Sequence, residues 1–189
     1  MRIVVLFHLL LLPVFLAVST LSAQSFQTTR PATARPNDPN WGGWESLAQG
    51  NRAKNRKTLI FIYADWCNWC KKMELETFAQ PNVARYMNER FQLVRFNGEE
   101  KEEVTFRGKK FNFTKVGPKG YNEWVAFLLN GRVSFPSVVF LDENDVVVQS
   151  ISGFKTSEEL LLILQYVHSD AYQHTPWATY IRTAKPPGY

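Results

Sequence analysis

The sequence predicts an α/β domain, and three observations carry that reading. Thr58–Ala64 (Thr-Leu-Ile-Phe-Ile-Tyr-Ala) is a continuous apolar run of strand length, as expected for a central strand buried on both faces. A helical stretch follows it and leads to a second apolar strand at Phe91–Phe96, which makes a βαβ unit. Farther on, Phe135–Leu141 and Val146–Ile151 read as paired strands across the Asp142–Asp145 turn, and a last amphipathic helix follows.

The elements follow in order. Trp41-Gly42-Gly43-Trp44 opens the domain, and Trp44, Leu47 and Ala48 space as one face of a short helix. Lys71–Ala79 is helix-like, with Met73 and Phe78 as inward positions. Pro81 can restart a helix, and Val83, Tyr86 and Met87 continue its apolar face. Gly98–Gly120 breaks the pattern as a charged insert before the second half. Val104–Phe113 alternates on both sides of Arg107-Gly108, which predicts a small hairpin. Tyr121–Asn130 reads as a helix stopped by Gly131. Thr156 and Glu159 form a capping box for the last helix, whose buried face is Leu160, Leu161, Ile163, Leu164 and Val167. Tyr172–Tyr189 has prolines and no clear period.

Residues 1–23 read as an export signal. Met1-Arg2 is basic, Ile3–Val18 is apolar, and small residues lead to Ala23, the expected cleavage point. A retained N-terminal anchor is the alternative, although Pro13 interrupts a stretch already short for a span of about 20 residues. Residues 24–40 read as a flexible linker, 41–172 as the domain and 173–189 as a tail. Removing 1–23 leaves about 165 residues, enough for one domain and its core. Hydrophobic residues make up 45% of the 189-residue chain, which is a globular composition. The net charge of +5 is spread over Arg85, Arg90, Lys101, Arg107, Lys109, Lys110, Lys115 and Lys119 among acids. That dispersal reads as a solvated surface and not as a nucleic-acid patch.

The two cysteines of the chain sit in one motif, Cys67-Asn68-Trp69-Cys70. A staple closing four residues stabilises by only about 2 kcal/mol, against about 3 for a 15-residue loop, so a structural bridge accounts poorly for it. Thiol–disulfide exchange needs two sulfurs within bonding reach, and CxxC at a helix start supplies them. The first cysteine meets the helix N-terminus, where free N–H groups favour a thiolate. Cys67 is therefore read as the nucleophile and Cys70 as the resolving thiol. Lys71 and Lys72 either add positive potential or form a solvated face. Zinc would need two further ligands, and His168 and His174 lie far along the chain. The residue after the second cysteine is Lys71, not the histidine of a c-type haem site. Two thiolates suffice for a soft ion, so a copper-binding, metallochaperone-like module is the alternative. No cofactor is otherwise implied.

At Tyr63-Ala64-Asp65-Trp66-Cys67-Asn68-Trp69-Cys70-Lys71 the sequence resembles the thioredoxin superfamily. It is similar to exported thioredoxin-like proteins and to the C-terminal thioredoxin domain of membrane thiol:disulfide interchange reductases. Thr77-Phe78, Pro81-Asn82-Val83, Phe135-Pro136-Ser137, Phe140-Leu141-Asp142 and Gly153 extend the likeness over roughly residues 44–168, with 98–130 fitting loosely. The resemblance implies a thioredoxin fold with a central mixed β-sheet flanked by helices. It implies a cis-proline at Pro136 beside the CxxC, where the backbone docks an extended peptide. It implies an exported, periplasmic or extracellular reductase acting on proteins with disulfides. Its electrons would come from a membrane thiol–disulfide donor, and it would be a monomer that binds no nucleic acid. Two departures stand out. Phe61 occupies the position, six before Cys67, where many members carry a buried aspartate, leaving Asp65 or Glu74 as possible substitutes. The inter-cysteine pair is Asn68-Trp69, not Gly-Pro. Trp66 and Trp69 either form an apolar substrate platform with Phe135 and Pro136 or shield Cys70.

Overall fold

Strand-forming residues on both sides of the crossover build one four-stranded sheet, seen in a computed structural model that describes residues 38–48 and 55–184. All of them belong to one compact unit, Thr33–Tyr189. The expected signal peptide and most of the expected linker lie outside the described residues.

The chain runs through α1 (Glu45–Ala48), β1 (Lys57–Tyr63) and α2 (Asn68–Met73), which continues as a π-helical turn over Glu74–Phe78. Next come α3 (Pro81–Arg90) and β2 (Phe91–Asn97). The insert forms β3 (Val104–Phe106), β4 (Lys109–Phe111), β5 (Phe113–Val116) and β6 (Lys119–Asn122) and leads into α4 (Glu123–Leu128). The second half adds β7 (Ser137–Leu141), β8 (Val147–Ser152), α5 (Ser157–His168), a 3-10 turn at Ala171–Gln173, and α6 (Trp177–Thr183). The sheet order is β2-β1-β7-β8. β1 pairs parallel with β2 and antiparallel with β7, so the sheet is mixed.

Side chains on a strand alternate between faces, and here each face has its own core. Leu59, Phe61, Leu93, Val138 and Phe140 point to the face covered by α2, α3 and α5. Ile60, Ile62, Val94, Phe96, Val139 and Leu141 point to the face covered by α4 and the insert. Burial on both sides explains why Thr58–Ala64 reads as unbroken apolar sequence. Each fully buried Phe, such as Phe61, Phe78 or Phe140, contributes roughly 1.5–3 kcal/mol.

The capping box at Thr156 forms as read: Glu159 N–H donates to Thr156 Oγ1 at 3.3 Å, and Thr156 N–H donates to Glu159 Oε2 at 2.9 Å. The β3–β4 turn has φ +51° at Arg107 and +73° at Gly108, the pair of positive values a two-residue hairpin uses. At the start of β1 the buried Lys57 places Nζ 3.2 Å from Glu143 and 3.1 Å from Asp170. Burial pulls its pKa down, but the two carboxylates outweigh that and hold it above the usual lysine value.

One expectation is corrected, and two stretches outside the expected domain carry structure of their own. Tyr121 and Asn122 are not helical; they end β6, and Asn122 caps the shorter α4 by accepting from Trp124 N–H at 3.0 Å. Asp38–Asn40, the end of the expected linker, are tied to α3: Asn40 N–H donates to Asn88 Oδ1 at 2.7 Å, and Asn88 Nδ2 donates to Asp38 O at 3.1 Å. The expected tail contains α6, because Trp177 and Tyr180 pack on Tyr166 with ring centroids 5.1 and 4.8 Å away. A helix of under two turns leaves too few positions to reveal a period.

Candidate functional site

The strand-to-helix turn after β1 places both sulfurs. Cys67 N–H donates to Ala64 O at 3.0 Å, which folds Asp65 and Trp66 outward. Cys67 is the N-cap of α2, with φ −78° and ψ 99°, and its Sγ accepts from Cys70 N–H at 3.1 Å. Three residues on, Cys70 lies one turn into the helix, and the two form a disulfide with S–S 2.11 Å and Cα–Cα 5.2 Å. In this oxidised state Cys67 is 4% and Cys70 2% exposed. Backbone N–H groups at a helix start favour an anion there, and the Cys70 N–H reaches Cys67 Sγ.

Trp66 and Trp69 are 51% and 57% exposed, so large apolar rings stand at the surface on either side of Cys67. Trp66 meets Phe135 edge-on at 5.9 Å, whereas Trp69 meets Phe154 at 5.6 Å. The Phe135–Pro136 peptide is cis. Pro136 O accepts from Gly153 N–H at 2.8 Å, and Ser137 Oγ donates to Ser134 O at 2.8 Å, which hold this loop to the ends of β7 and β8. Phe135 packs against the cores of both faces. Its ring fits only because residue 98 is glycine: a Cβ there would lie 2.6 Å from Phe135 Cζ and closer still to Cε1.

The electrostatic surroundings differ from those of a site built on a buried acid. Phe61 lies in an aromatic cluster with Phe78 at 4.8 Å, Trp41 at 5.9 Å and Tyr63 at 6.0 Å. Both proposed substitutes are otherwise engaged. Asp65 accepts from Asn97 Nδ2 at 3.2 Å, and Glu74 Oε1 accepts from Arg95 Nε at 2.7 Å. The Arg95 guanidinium sits 3.7 Å above the Tyr63 ring. Burial pushes the Tyr63 hydroxyl up, with Arg95 opposing. Lys72 lies over Trp69 and Phe154 at 5.1 and 5.4 Å and 3.7 Å from Glu76, so its charge is shared with that carboxylate. Among the described residues no group of three or more His, Cys, Asp or Glu side chains could hold a metal ion.

Sequence reasoning missed Phe154 and Lys119. Phe154 directly follows Gly153, already part of the recognised pattern, and that adjacency was the available signal. Lys119 reaches Trp66 from the start of β6, with Nζ 4.0 Å from the ring. Nothing in its spacing could have shown that contact.

A CxxC pair capping a helix after a central strand, beside a cis-proline loop, defines a thiol–disulfide site on a thioredoxin fold. The chain belongs to the family described as the thioredoxin-like domain, whose model matches residues 47–168. It is 26% identical over 125 residues to the thiol:disulfide interchange protein DsbD of Tatumella citrea, covering 65% of this chain and 18% of that much longer protein. Among solved structures, a thioredoxin-fold protein from Helicobacter pylori matches with a TM-score of 0.52 and 16% identity, over 75% of this chain and 89% of that one. A thioredoxin from Thermus thermophilus matches with a TM-score of 0.50 and 17% identity, over 75% and 98%. Family and cysteine geometry together support a thiol–disulfide oxidoreductase. Among the described residues no helix is long and apolar enough to cross a membrane.

Proposed function

We propose that this protein reduces disulfides of other proteins outside the cytoplasm, with Cys67 as nucleophile and Cys70 as resolving thiol. The observation that carries the reading is Cys67 Sγ at the N-cap of α2, accepting the Cys70 N–H at 3.1 Å. In the dithiol form the Cys67 thiolate attacks a substrate disulfide. An S–S bond forms to the substrate, and the other substrate sulfur leaves and takes a proton. Cys70, deprotonated in turn, attacks Cys67 Sγ; the mixed bond breaks, and the second substrate sulfur leaves as a thiol. The substrate gains two electrons and the protein closes its Cys67–Cys70 disulfide. A membrane thiol–disulfide donor would return the electrons.

Docking in this reading uses the Phe135–Pro136 backbone for an extended peptide and Trp66 and Trp69 as its apolar platform. Export rests on the basic, apolar and small-residue layout of residues 1–23, which N-terminal sequencing of the exported chain tests: it should begin near Gln24.

The decisive experiment is trapping. Cys70→Ser should accumulate mixed disulfides through Cys67, and Cys67→Ser should accumulate few and lose insulin reduction. Trapping in the reverse sense would overturn the assignment. Tight copper retention by the dithiol without insulin reduction would favour the metallochaperone-like alternative.

A further inference from the structure

The insert builds a second surface directly beside Trp66. β5 and β6 pair across Gly117-Pro118, with Lys115 opposite Gly120 and Val116 opposite Lys119. The hairpin is fixed at its base. Glu123 accepts from Asn112 N–H and from Thr114 Oγ1, both at 3.1 Å. Asn122 Nδ2 donates to Glu100 O at 3.3 Å and Glu102 O at 3.1 Å, which pins the loop after β2 to the same hairpin. Gly120 lets the Phe113 ring lie across the strand, since a Cβ there would come within 2.9 Å of Cε1 and closer to Cζ.

Between this hairpin and the CxxC turn lies an open groove of about 350 Å³, with Trp66, Phe113 and Pro118 as its apolar surface and Lys101, Lys115 and Lys119 as its cations. Lys119 Nζ stands 4.0 Å from the Trp66 ring and Lys101 Nζ 3.1 Å from that of Phe113. Among the described residues none of these lysines is in an ion pair. Two carboxylates, Asp65 and Glu99, share the wall, and Asp65 is already held by Asn97. The groove therefore presents three ammonium groups against two carboxylates, an excess of positive charge, on an aromatic floor beside the nucleophile's turn.

We propose that this groove receives an acidic segment of the substrate polypeptide, a few residues from its reacting cysteine, and so selects disulfides flanked by Asp or Glu. The proposal deepens the thiol–disulfide reading and rests on it for the role of the bound segment. Charge complementarity names the occupant: carboxylates would meet Lys101, Lys115 and Lys119, and the apolar stems between them would lie on Trp66 and Phe113.

The test separates binding from chemistry. Two cysteine-free peptides of equal length, one with Glu and one with Gln at the same positions, are titrated into the oxidised chain and followed by tryptophan fluorescence. The Glu peptide should bind about fivefold more tightly, from three exposed charge pairs. The preference should shrink in about 0.5 M salt as the screening length falls. Lys101→Gln/Lys115→Gln/Lys119→Gln should abolish it, and the corresponding triple Arg variant should keep it; circular dichroism checks that both fold. Matching peptides carrying a disulfide then report exchange rates for the dithiol form, each divided by the same variant's rate with hydroxyethyl disulfide as a neutral reference, and the Glu-over-Gln ratio should fall to about one in the Gln variant. Equal binding of the two peptides, a preference that survives the Gln variant, or tighter binding of a single-stranded oligonucleotide than of the Glu peptide would overturn the proposal. No exchange even with hydroxyethyl disulfide would instead overturn the redox reading, and the binding titration would still decide the groove.

Discussion

The two faces of the sheet are equally buried and differently employed. One holds the disulfide: Cys67 and Cys70 are part of the same apolar cluster as Phe61, Phe78, Val138 and the inner face of α5. The other holds the insert: Trp124 lies between Phe96 at 4.8 Å and Phe106 at 5.3 Å, beneath the β3–β4 hairpin. The disulfide is thus embedded in one core, while the other core supports the insert's β3–β4 hairpin. Phe135 packs against both, and is where a disturbance of one face would reach the other.

Truncating one large ring on each face breaks or sharpens that contrast. Phe61→Ala and Trp124→Ala should each cost about 3–5 kcal/mol, because both side chains are fully buried. Urea denaturation measures this. The faces should differ in kinetics. Trp124→Ala should leave the exchange rate with a small neutral disulfide close to wild type in the folded fraction. Phe61→Ala should change it, because Phe61 packs against Phe78 and the cluster that contains both sulfurs. Equal kinetic effects would mean that the faces are not separable.

The contrast also governs what the sequence could reveal. On the disulfide face the signals are local and strong. An apolar run gives β1, a capping box gives α5, and CxxC after a strand gives the helix start. Each depends on neighbours within a few residues. On the insert face the deciding contacts are nonlocal. Gly117-Pro118 is a turn signal, yet β5 reads as Phe-Thr-Lys-Val and β6 as Lys-Gly-Tyr-Asn, too short and too polar to mark strands. Tyr121 and Asn122 therefore read as the start of a helix, although Asn122 is its cap. The π-helical turn at Glu74–Phe78 has no propensity signature. The Trp41 strap, whose Gly42 bridges β2 through Leu93 O and Arg95 N–H at 2.9 Å, depends on a partner about 50 residues away. The cis-proline came from family likeness alone, since nothing in Phe135-Pro136 as a dipeptide favours it strongly.

Gly98→Ala probes the junction of the two faces. The added methyl must displace the Phe135 ring, and it would also touch Ile62 Cγ2 at 3.4 Å. A cost of about 1–3 kcal/mol is expected for this overpacking. Because Phe135 meets Trp66, exchange with protein disulfides should fall more than exchange with a small disulfide. A variant that loses stability but keeps the ratio of the two rates would show that Phe135 serves packing only.

The smallest effect belongs to His168, at the end of α5 on the disulfide face. A helix C-terminus ordinarily favours a protonated histidine. Here burial lowers the pKa below its usual value, Arg90 and Lys57 lower it further, and Asp170 opposes them. The ring lies edge-on to Tyr86 at 5.9 Å and to Phe91 at 6.1 Å, and Tyr86 Oη is 3.5 Å from Nδ1. The folded state thus prefers the neutral ring. The corresponding stability is fully present above the unfolded histidine value of about 6.5 and is lost as pH falls through the lower folded value. Between pH 7.5 and 5.5 the melting temperature should drop by about 1–2 °C more in the wild type than in His168→Gln, which cannot titrate. Among the described residues the insert face carries no histidine, so Trp124→Ala should leave this increment intact. An increment that vanished with Trp124→Ala would show that the surroundings of His168 depend on the insert-face core.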